Sequence, residues 1–332
     1  MKPWHLVADI GGSNARFAVA DPVDDGLYDS RTYAVGDYPA LTDALSEFVK
    51  EMTMLGWASR PNAACLALAC PVERDVVAFT NSDWVADRQA LSTQLQGCPV
   101  TLINDFAAVG YAVTALDASD WVQLGGDSGR PNRPIAVLGP GTGLGVCSVI
   151  QNSSGTFVIE GEGGHADIAP VTDREVSVLR HMRARFGRVS IERALSGDGL
   201  LNIYDALAED SLPAGSSDAA SRGNLRYEDP ARLTEAALGG TDPLAVTTVE
   251  TFCEILGAAA GNLALTLGAK GGVYIAGGIP PKILPLLSAS RIRDRFEDKG
   301  RFREYLGEIP LRVVIKEDLG LAGAVRYLRL HG

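Results

Sequence analysis

Histidine and cysteine are both scarce in this chain, with four of the first and five of the second among 332 residues. Cys65, Cys70, Cys98, Cys147 and Cys253 are odd in number and show no Cys-x-x-Cys spacing. They sit mostly inside apolar runs, so neither a disulfide framework nor a zinc site is indicated, and a reducing cytoplasm fits. Basic runs are absent too. Thirty Lys and Arg stand against 41 Asp and Glu, for a net charge of −11 and a pI near 4.9. That balance argues against a nucleic-acid partner and against an anionic membrane surface. No signal-type apolar core follows Met1-Lys2. The best membrane candidate, residues 246–269, is interrupted by Glu250, Glu254 and Asn262, and reads as a long buried helix. Two nucleotide signatures are missing as well. No Gly-Lys-Ser/Thr follows the first glycine cluster, which excludes a Walker loop, and a strand rather than a helix comes after it, which excludes a Rossmann fingerprint.

What is present is an ordinary globular composition, 46% apolar and 21% charged, on a chain long enough for two lobes, each with its own core. The first glycine cluster is a hairpin. Residues 6–8 rise apolar into Asp9, the run Ile10-Gly11-Gly12-Ser13-Asn14 follows, and residues 15–20 leave as a second strand. Adjacent glycines let a backbone approach a polyanion closely, Ser13 adds a hydroxyl donor, and Asp9 can hold Mg²⁺ or its water shell. A tight turn with Asp9 merely ending a strand is the plainer alternative.

Further along, residues 28–35 predict a third strand, and 39–54 a helix with Leu41, Leu45, Phe48 and Met52 on one face. The run 64–70 predicts a strand buried on both faces, 74–79 another strand, and 87–95 a helix. Residues 99–103 deliver Asn104 and Asp105 to the carboxyl end of a buried strand, where ligand chemistry gathers in α/β sheets; a helix over 106–116 follows. Asp105 is there either a chemical group or only an N-cap.

Residues 135–138 run into Gly139-Pro140-Gly141-Thr142-Gly143, from which 144–150 exits as a strand. This repeats the opening hairpin, and the pair points to a duplicated fold with a phosphate loop in each lobe. Glu162 and His165 flank two glycines and could both line a pocket, while the other histidines, His5, His181 and His331, are too scattered to complete a metal site. Helices are predicted over 173–186, from 191 to about 207 with Glu192 in the first turn, over 230–238 and over 243–267; residues 209–227 read as a surface loop. The strand 272–276 turns through Gly277-Gly278-Ile279-Pro280-Pro281 into a helix whose N-terminus can face an anion or nucleotide. A strand over 311–315 and a helix over 321–330 close the chain, the helix packing back on the first lobe. The expected division is a small α/β domain, 1–112 completed by 317–332, and a large one, 113–316.

These motifs carry a resemblance. Asp9 to Asn14, Ile103-Asn104-Asp105-Phe106, Gly139 to Gly145, Glu162-Gly163-Gly164-His165, Glu192 to Gly197, Ile275 to Ile279 and Phe296 to Phe302 resemble, in order and over nearly the whole chain, the bacterial ATP-dependent glucokinases. The resemblance implies an α/β chain of the actin-like ATPase (ribonuclease H-like) fold, two lobes around a central cleft, glucose and ATP with Mg²⁺ as ligands, and a cytosolic homodimer with no membrane or nucleic-acid partner. By resemblance Asn104, Asp105, Glu162, His165 and Glu192 bind the sugar, with Asp105 the base for its primary hydroxyl. Asp9, Gly11, Gly12, Ser13, Asn14, Gly141, Thr142, Gly143, Gly277 and Gly278 are the nucleotide positions. The chain departs from the family in having Ser13 where Thr is usual, Pro140 where a small residue is usual, and a longer 209–227 loop. A kinase for another hexose or amino sugar, and a non-catalytic sugar sensor or nucleotide switch on the same fold, remain as alternatives. A DNA-binding sensor would need an added helix-turn-helix and a basic surface.

Overall fold

The computed structural model describes residues 2–23, 26–79, 82–211 and 227–332. They fall into two compact units, the first Met1–Asp117, Asn152–Glu160 and Lys316–Gly332, the second Ala118–Gln151 and Gly161–Ile315. In chain order the elements are β1 His5–Ile10, β2 Asn14–Ala20, β3 Leu27–Ala34, α1 Leu41–Met54, β4 Ala64–Leu68, β5 Val76–Ala78, β6 Val85–Asp87, α2 Arg88–Gln94, β7 Val100–Asn104 and α3 Asp105–Val113. They continue with β8 Trp121–Gln123, β9 Ile135–Pro140, β10 Leu144–Asn152, β11 Gly155–Gly161, α4 Asp173–Phe186, α5 Gly197–Asp210, α6 Pro230–Leu238 and α7 Pro243–Leu267. Last are β12 Gly272–Ile275, α8 Leu284–Ala289, α9 Ile292–Glu297, α10 Arg303–Gly307, β13 Leu311–Val314 and α11 Leu319–His331.

In the first unit the sheet order is β3-β2-β1-β4-β7, with β1 antiparallel to β2 and parallel to β4. Alternation along each strand assigns the two faces. Leu6, Ala8, Ile10, Leu66 and Leu68 join Phe17 and the α1 residues Leu41, Leu45, Phe48 and Met52 in one core. Val7, Cys65, Ala67, Ala18 and Ile103 face the other way, with Ala108 of α3 and Leu321, Ala324 and Val325 of α11. The residues of that second face are small, so the helices covering it approach closely. Gly323 of α11 is pressed on α3, where a Cβ would stand 1.8 Å from the Ala108 carbonyl oxygen. Asp9 has the parity of Val7 and therefore points to the α11 side.

The other large sheet has the order β11-β10-β9-β12-β13-β8; β10 up to Gln151, β9, β12, β13 and β8 fall in the second unit, while β11 up to Glu160 is counted with the first. β9 is antiparallel to β10 and parallel to β12, and β12 is parallel to β13. Strand for strand, β11-β10-β9-β12-β13 repeats β3-β2-β1-β4-β7, so the duplication read from the two hairpins is real, and β8 is an added antiparallel edge. The core of the second unit surrounds α7, whose Phe252, Cys253, Leu256 and Ala260 are fully buried. Among the described residues α7 is the helix long and apolar enough to cross a membrane; here its apolar surface is spent on the core. Gly257 and Gly261 let it meet α9, since a Cβ at either would lie 2.2 Å from Ile292 O or 2.4 Å from Phe296 O. Beside that contact Glu175 of α4 and Arg295 of α9 form a buried ion pair at 2.8 Å.

Three local expectations change. The helix predicted from 191 is a 3-10 turn, Ile191–Arg193, followed by a break and then α5. The break has a cause: the Ser196 hydroxyl caps the Gly199 amide at 3.0 Å, which starts the helix there. The turn at 277–281 does not open into a helix directly; residues 279–283 make successive tight turns, and α8 starts only at Leu284. Residues 212–226 of the predicted 209–227 loop lie outside the described residues, and Glu209 and Asp210 end α5.

Candidate active site

The first hairpin turns between paired residues Ile10 and Ala15, closed by the Gly11 amide donating to Asn14 O at 2.9 Å. Ser13 and Asn14 are exposed at its tip. Asp9 stands at the end of β1 against the first turn of α11: a Cβ on Gly320 would be 2.5 Å from its carboxyl carbon. Burial holds the Asp9 carboxyl above the usual range, with the Arg16 cation opposing the shift and the Asp318 charge adding to it. Asp318 itself pairs with Arg16 at 3.1 Å and holds a left-handed φ of +54°, a costly conformation for a residue with a side chain.

Asp105 is not the cap of α3. Asn104 is, its Oδ1 accepting from the Phe106 and Ala107 amides at 2.9 and 3.1 Å, while its Nδ2 donates to Cys70 O at 3.3 Å. The cap fixes the Asn104 side chain and sets Asp105 at the first helical position, half-buried. The Asn104 side chain and the Asp105 backbone also bond the Asp105 carboxylate, and one of its oxygens accepts the Phe106 amide at 2.7 Å. A helix N-terminus and that amide both favour a negative charge here. Burial outweighs them, and with the Asp9 charge beside it raises the Asp105 pKa from 3.8 to about 6.

The remaining predicted sugar residues belong to the second unit, and a set of polar contacts and two glycines bring them together around Leu144. The Leu144 amide donates to Glu192 Oε2 at 2.8 Å. Gly164 lies on the same residue, a Cβ there being 2.2 Å from Leu144 O, and Gly163 lies on Val146. The 3-10 turn Gly163–His165 carries Glu162 and His165, both exposed, with His165 Nε2 3.9 Å from Glu162 Oε2. The Ile191 amide bonds Ala166 O at 2.8 Å, tying the Glu192 turn to the His165 turn. Arg188 donates to His165 O at 2.6 Å and pairs with Asp167 at 2.8 Å.

Around the second hairpin, the Gly141 amide donates to Gly143 O at 2.8 Å, and the Gly197 amide to Gly141 O at 2.9 Å. Thr142 is exposed at the tip. Gly277, at φ +83°, is packed so closely that a Cβ would be 2.4 Å from Pro140 O, whereas Gly278 faces open space. Pro140 therefore lacks an amide but supplies a carbonyl, which also accepts from the Ile279 amide at 3.2 Å. Asp318, Gly320, Arg188 and the Leu144 amide escaped the sequence reading. Gly320 and Gly323, one turn apart, are the signal that could have exposed the first two, since small residues at that spacing announce a close helix approach.

No group of three or more possible metal ligands occurs among the described residues. A hard divalent cation still suits Asp9, with Asp105 and Asp318 charges nearby. A cation there would offset the like charge that adds to the effect of burial on Asp9 and Asp105. Mg²⁺ commonly takes only one or two protein carboxylates, completing its shell with water and phosphate.

Two sheets sharing one five-strand order, with a glycine turn after β1 in one and after β9 in the other, define a protein of the actin-like ATPase fold. A sequence model of the glucokinase family matches residues 6–331. A glucokinase of Tolumonas auensis is 40% identical over 326 residues, spanning 98% of this chain and 96% of its own length. Another from Psychromonas ingrahamii is 40% identical over 331 residues, 99% of this chain and 98% of its own. The crystal structure of a glucokinase from an Antarctic psychrotroph superposes with a TM-score of 0.85 at 32% identity, covering 99% of each chain. The chain belongs to the glucokinase family.

Proposed function

We propose that this protein transfers the γ-phosphoryl group of ATP to the 6-hydroxyl of glucose, giving glucose 6-phosphate and ADP at the entry to glycolysis. In a chain of this family, the observation that carries the reading is Asp105: a half-buried carboxylate fixed at the start of α3, its pKa of about 6 close to the operating pH of a general base. Asp105 takes the proton of the primary hydroxyl as its oxygen attacks the γ-phosphorus. Asn104, Asp105, Glu162, His165 and Glu192 hold the sugar hydroxyls; carboxylates accept and the amide and imidazole can also donate, which is the mixture a hexose asks for.

Gly11, Gly12, Ser13 and Asn14 of the first hairpin receive nucleotide phosphates, as do Gly141 and Thr142 of the second hairpin and Gly277 and Gly278 beside it. Phosphoryl transfer proceeds through a loose transition state and depends chiefly on positioning and charge stabilisation. Asp9 would hold Mg²⁺, directly or through water, and when bound the ion neutralises phosphate charge. The five cysteines are buried thiols, which supports work in a reducing cytoplasm, and the enzyme acts there as a homodimer. A coupled ADP-release assay over a panel of hexoses, amino sugars and phosphoryl donors tests the reading. Glucose with ATP should give the highest kcat/KM; a different sugar or donor leading by tenfold, or no turnover at all, would refute it.

A further inference from the structure

Resting on that reading, we propose that Gly143 and the Leu144 amide are positioning elements for the sugar, acting through Glu192, and that nucleotide contact on the second hairpin falls to Gly141 and Thr142. The two glycines of this hairpin differ in what surrounds them. A Cβ on Gly141 meets nothing within 4 Å, whereas one on Gly143 would lie 2.6 Å from Glu192 Oε2 and 3.4 Å from its carboxyl carbon. Gly141 thus leaves room on the hairpin for a ligand. Gly143 leaves room for a carboxylate of the protein itself.

The next amide makes the same point. Leu144 N–H is already spent on Glu192 Oε2 at 2.8 Å, so it is not a free donor for a phosphate oxygen. An anionic phosphate would also be repelled by the carboxylate occupying that end of the turn. With Oε2 anchored, the second Glu192 oxygen is held in one orientation for a sugar hydroxyl, and Ile191 bonded to Ala166 O keeps the Glu192 turn in register with His165. The hairpin therefore serves two ligands: its open end the nucleotide, its Leu144 end the sugar.

A methyl group at Gly143 presses on the far end of a flexible side chain, which can swing away without disturbing the backbone. Gly143→Ala should therefore fold, lose the Leu144 to Glu192 bond and misplace the carboxylate. Losing one charge-assisted hydrogen bond to a hydroxyl predicts a rise in glucose KM of about ten- to hundredfold, with ATP KM within about twofold of the parent. A double-mutant cycle separates this from general damage: in a Glu192→Ala background, adding Gly143→Ala should change glucose KM no further.

Steady-state kinetics on the full chain read both constants, with circular dichroism as the folding control. A rise in ATP KM with glucose KM unchanged overturns the proposal, as does full multiplication of the two effects in the double variant. If Gly143→Ala does not fold, Glu192→Asp supplies the test. Drawing the carboxylate back from Leu144 must raise glucose KM and spare ATP KM, and an unchanged glucose KM refutes the inference. A parent enzyme that phosphorylates no hexose fails the functional reading itself, and the inference with it; an active parent with the wrong variant pattern fails the inference alone.

Discussion

Replacing Asp105 by Asn should abolish most catalysis and at the same time stabilise the first unit. The amide still accepts from the Phe106 N–H and still hydrogen-bonds a sugar hydroxyl, but it cannot take a proton, so turnover should fall by about 10² to 10⁴ while glucose binding persists. The stability change follows from the raised pKa. The folded chain binds this proton more tightly than the unfolded chain, so the group's contribution is fully favourable below pH 3.8 and is lost as pH rises through about 6. At about 1.4 kcal/mol per pKa unit, that interval is an upper cost of roughly 3 kcal/mol carried by the parent at pH 8. Asn has no ionisation to pay for, so the variant should gain about 1 to 3 kcal/mol at pH 8 and little near pH 4. Urea unfolding followed by tryptophan fluorescence suits the measurement, because Trp4, Trp57 and Trp84 lie in the first unit. An equal stability difference at both pH values would refute the burial account of the pKa, and near-normal turnover would refute Asp105 as base.

In the parent, kcat/KM should fall roughly tenfold per pH unit below about pH 6 as the base becomes protonated; a pH–rate profile flat down to pH 5 would exclude Asp105 as the titrating group. Gly12→Val and Gly141→Val should both weaken ATP in calorimetry while sparing binary glucose binding. For Gly141 the surrounding space is open, so a folded variant that binds ATP like the parent shows that this hairpin does not receive phosphate. Glu175→Ala leaves Arg295 buried and unpaired by its closest carboxylate, which predicts a loss of about 3 to 5 kcal/mol in denaturant unfolding. The double change Glu175→Met with Arg295→Met should cost much less, and equal losses would show that the charge is not the cause.

Much of the fold was legible because the signals are local. The β1 and β9 hairpins announce themselves by glycine flanked by apolar strands, and β4 by an unbroken apolar run; these are the pieces whose repetition exposes the duplicated topology. Helix α7 was equally plain from its length. The failures are places where a side chain far along the chain, or a single cap, decided the outcome. Nothing near Glu192 says that the Leu144 amide will claim it, and the Ser196 cap that ends its turn is one hydroxyl among many. Asn104 rather than Asp105 took the cap because capping competes between adjacent, equally suitable residues. The contact between Gly320 and Asp9 joins the two ends of the chain, beyond any window of periodicity. Candidate residues could thus be named singly, while their grouping into a Leu144-centred set in one unit and an Asp9–Asp105 pair in the other needed coordinates.

The discontinuity of the first unit has a consequence during synthesis. Val7, Ala18, Cys65 and Ala67 are covered by Leu321, Ala324 and Val325 of α11, which the ribosome adds only after the whole of Ala118–Ile315. Domains tend to fold as units as they emerge, yet here the segment translated first must wait with one face of its sheet covered only by α3 while the later unit, nearly continuous in sequence, closes ahead of it. Ala18, Ala20, Ala67 and Cys65, which make up most of that face beside Val7 and Ile103, are therefore well suited to the interval: they give close helix packing once α11 arrives, and they offer a nascent chain less sticky surface than leucine or phenylalanine would in the meantime.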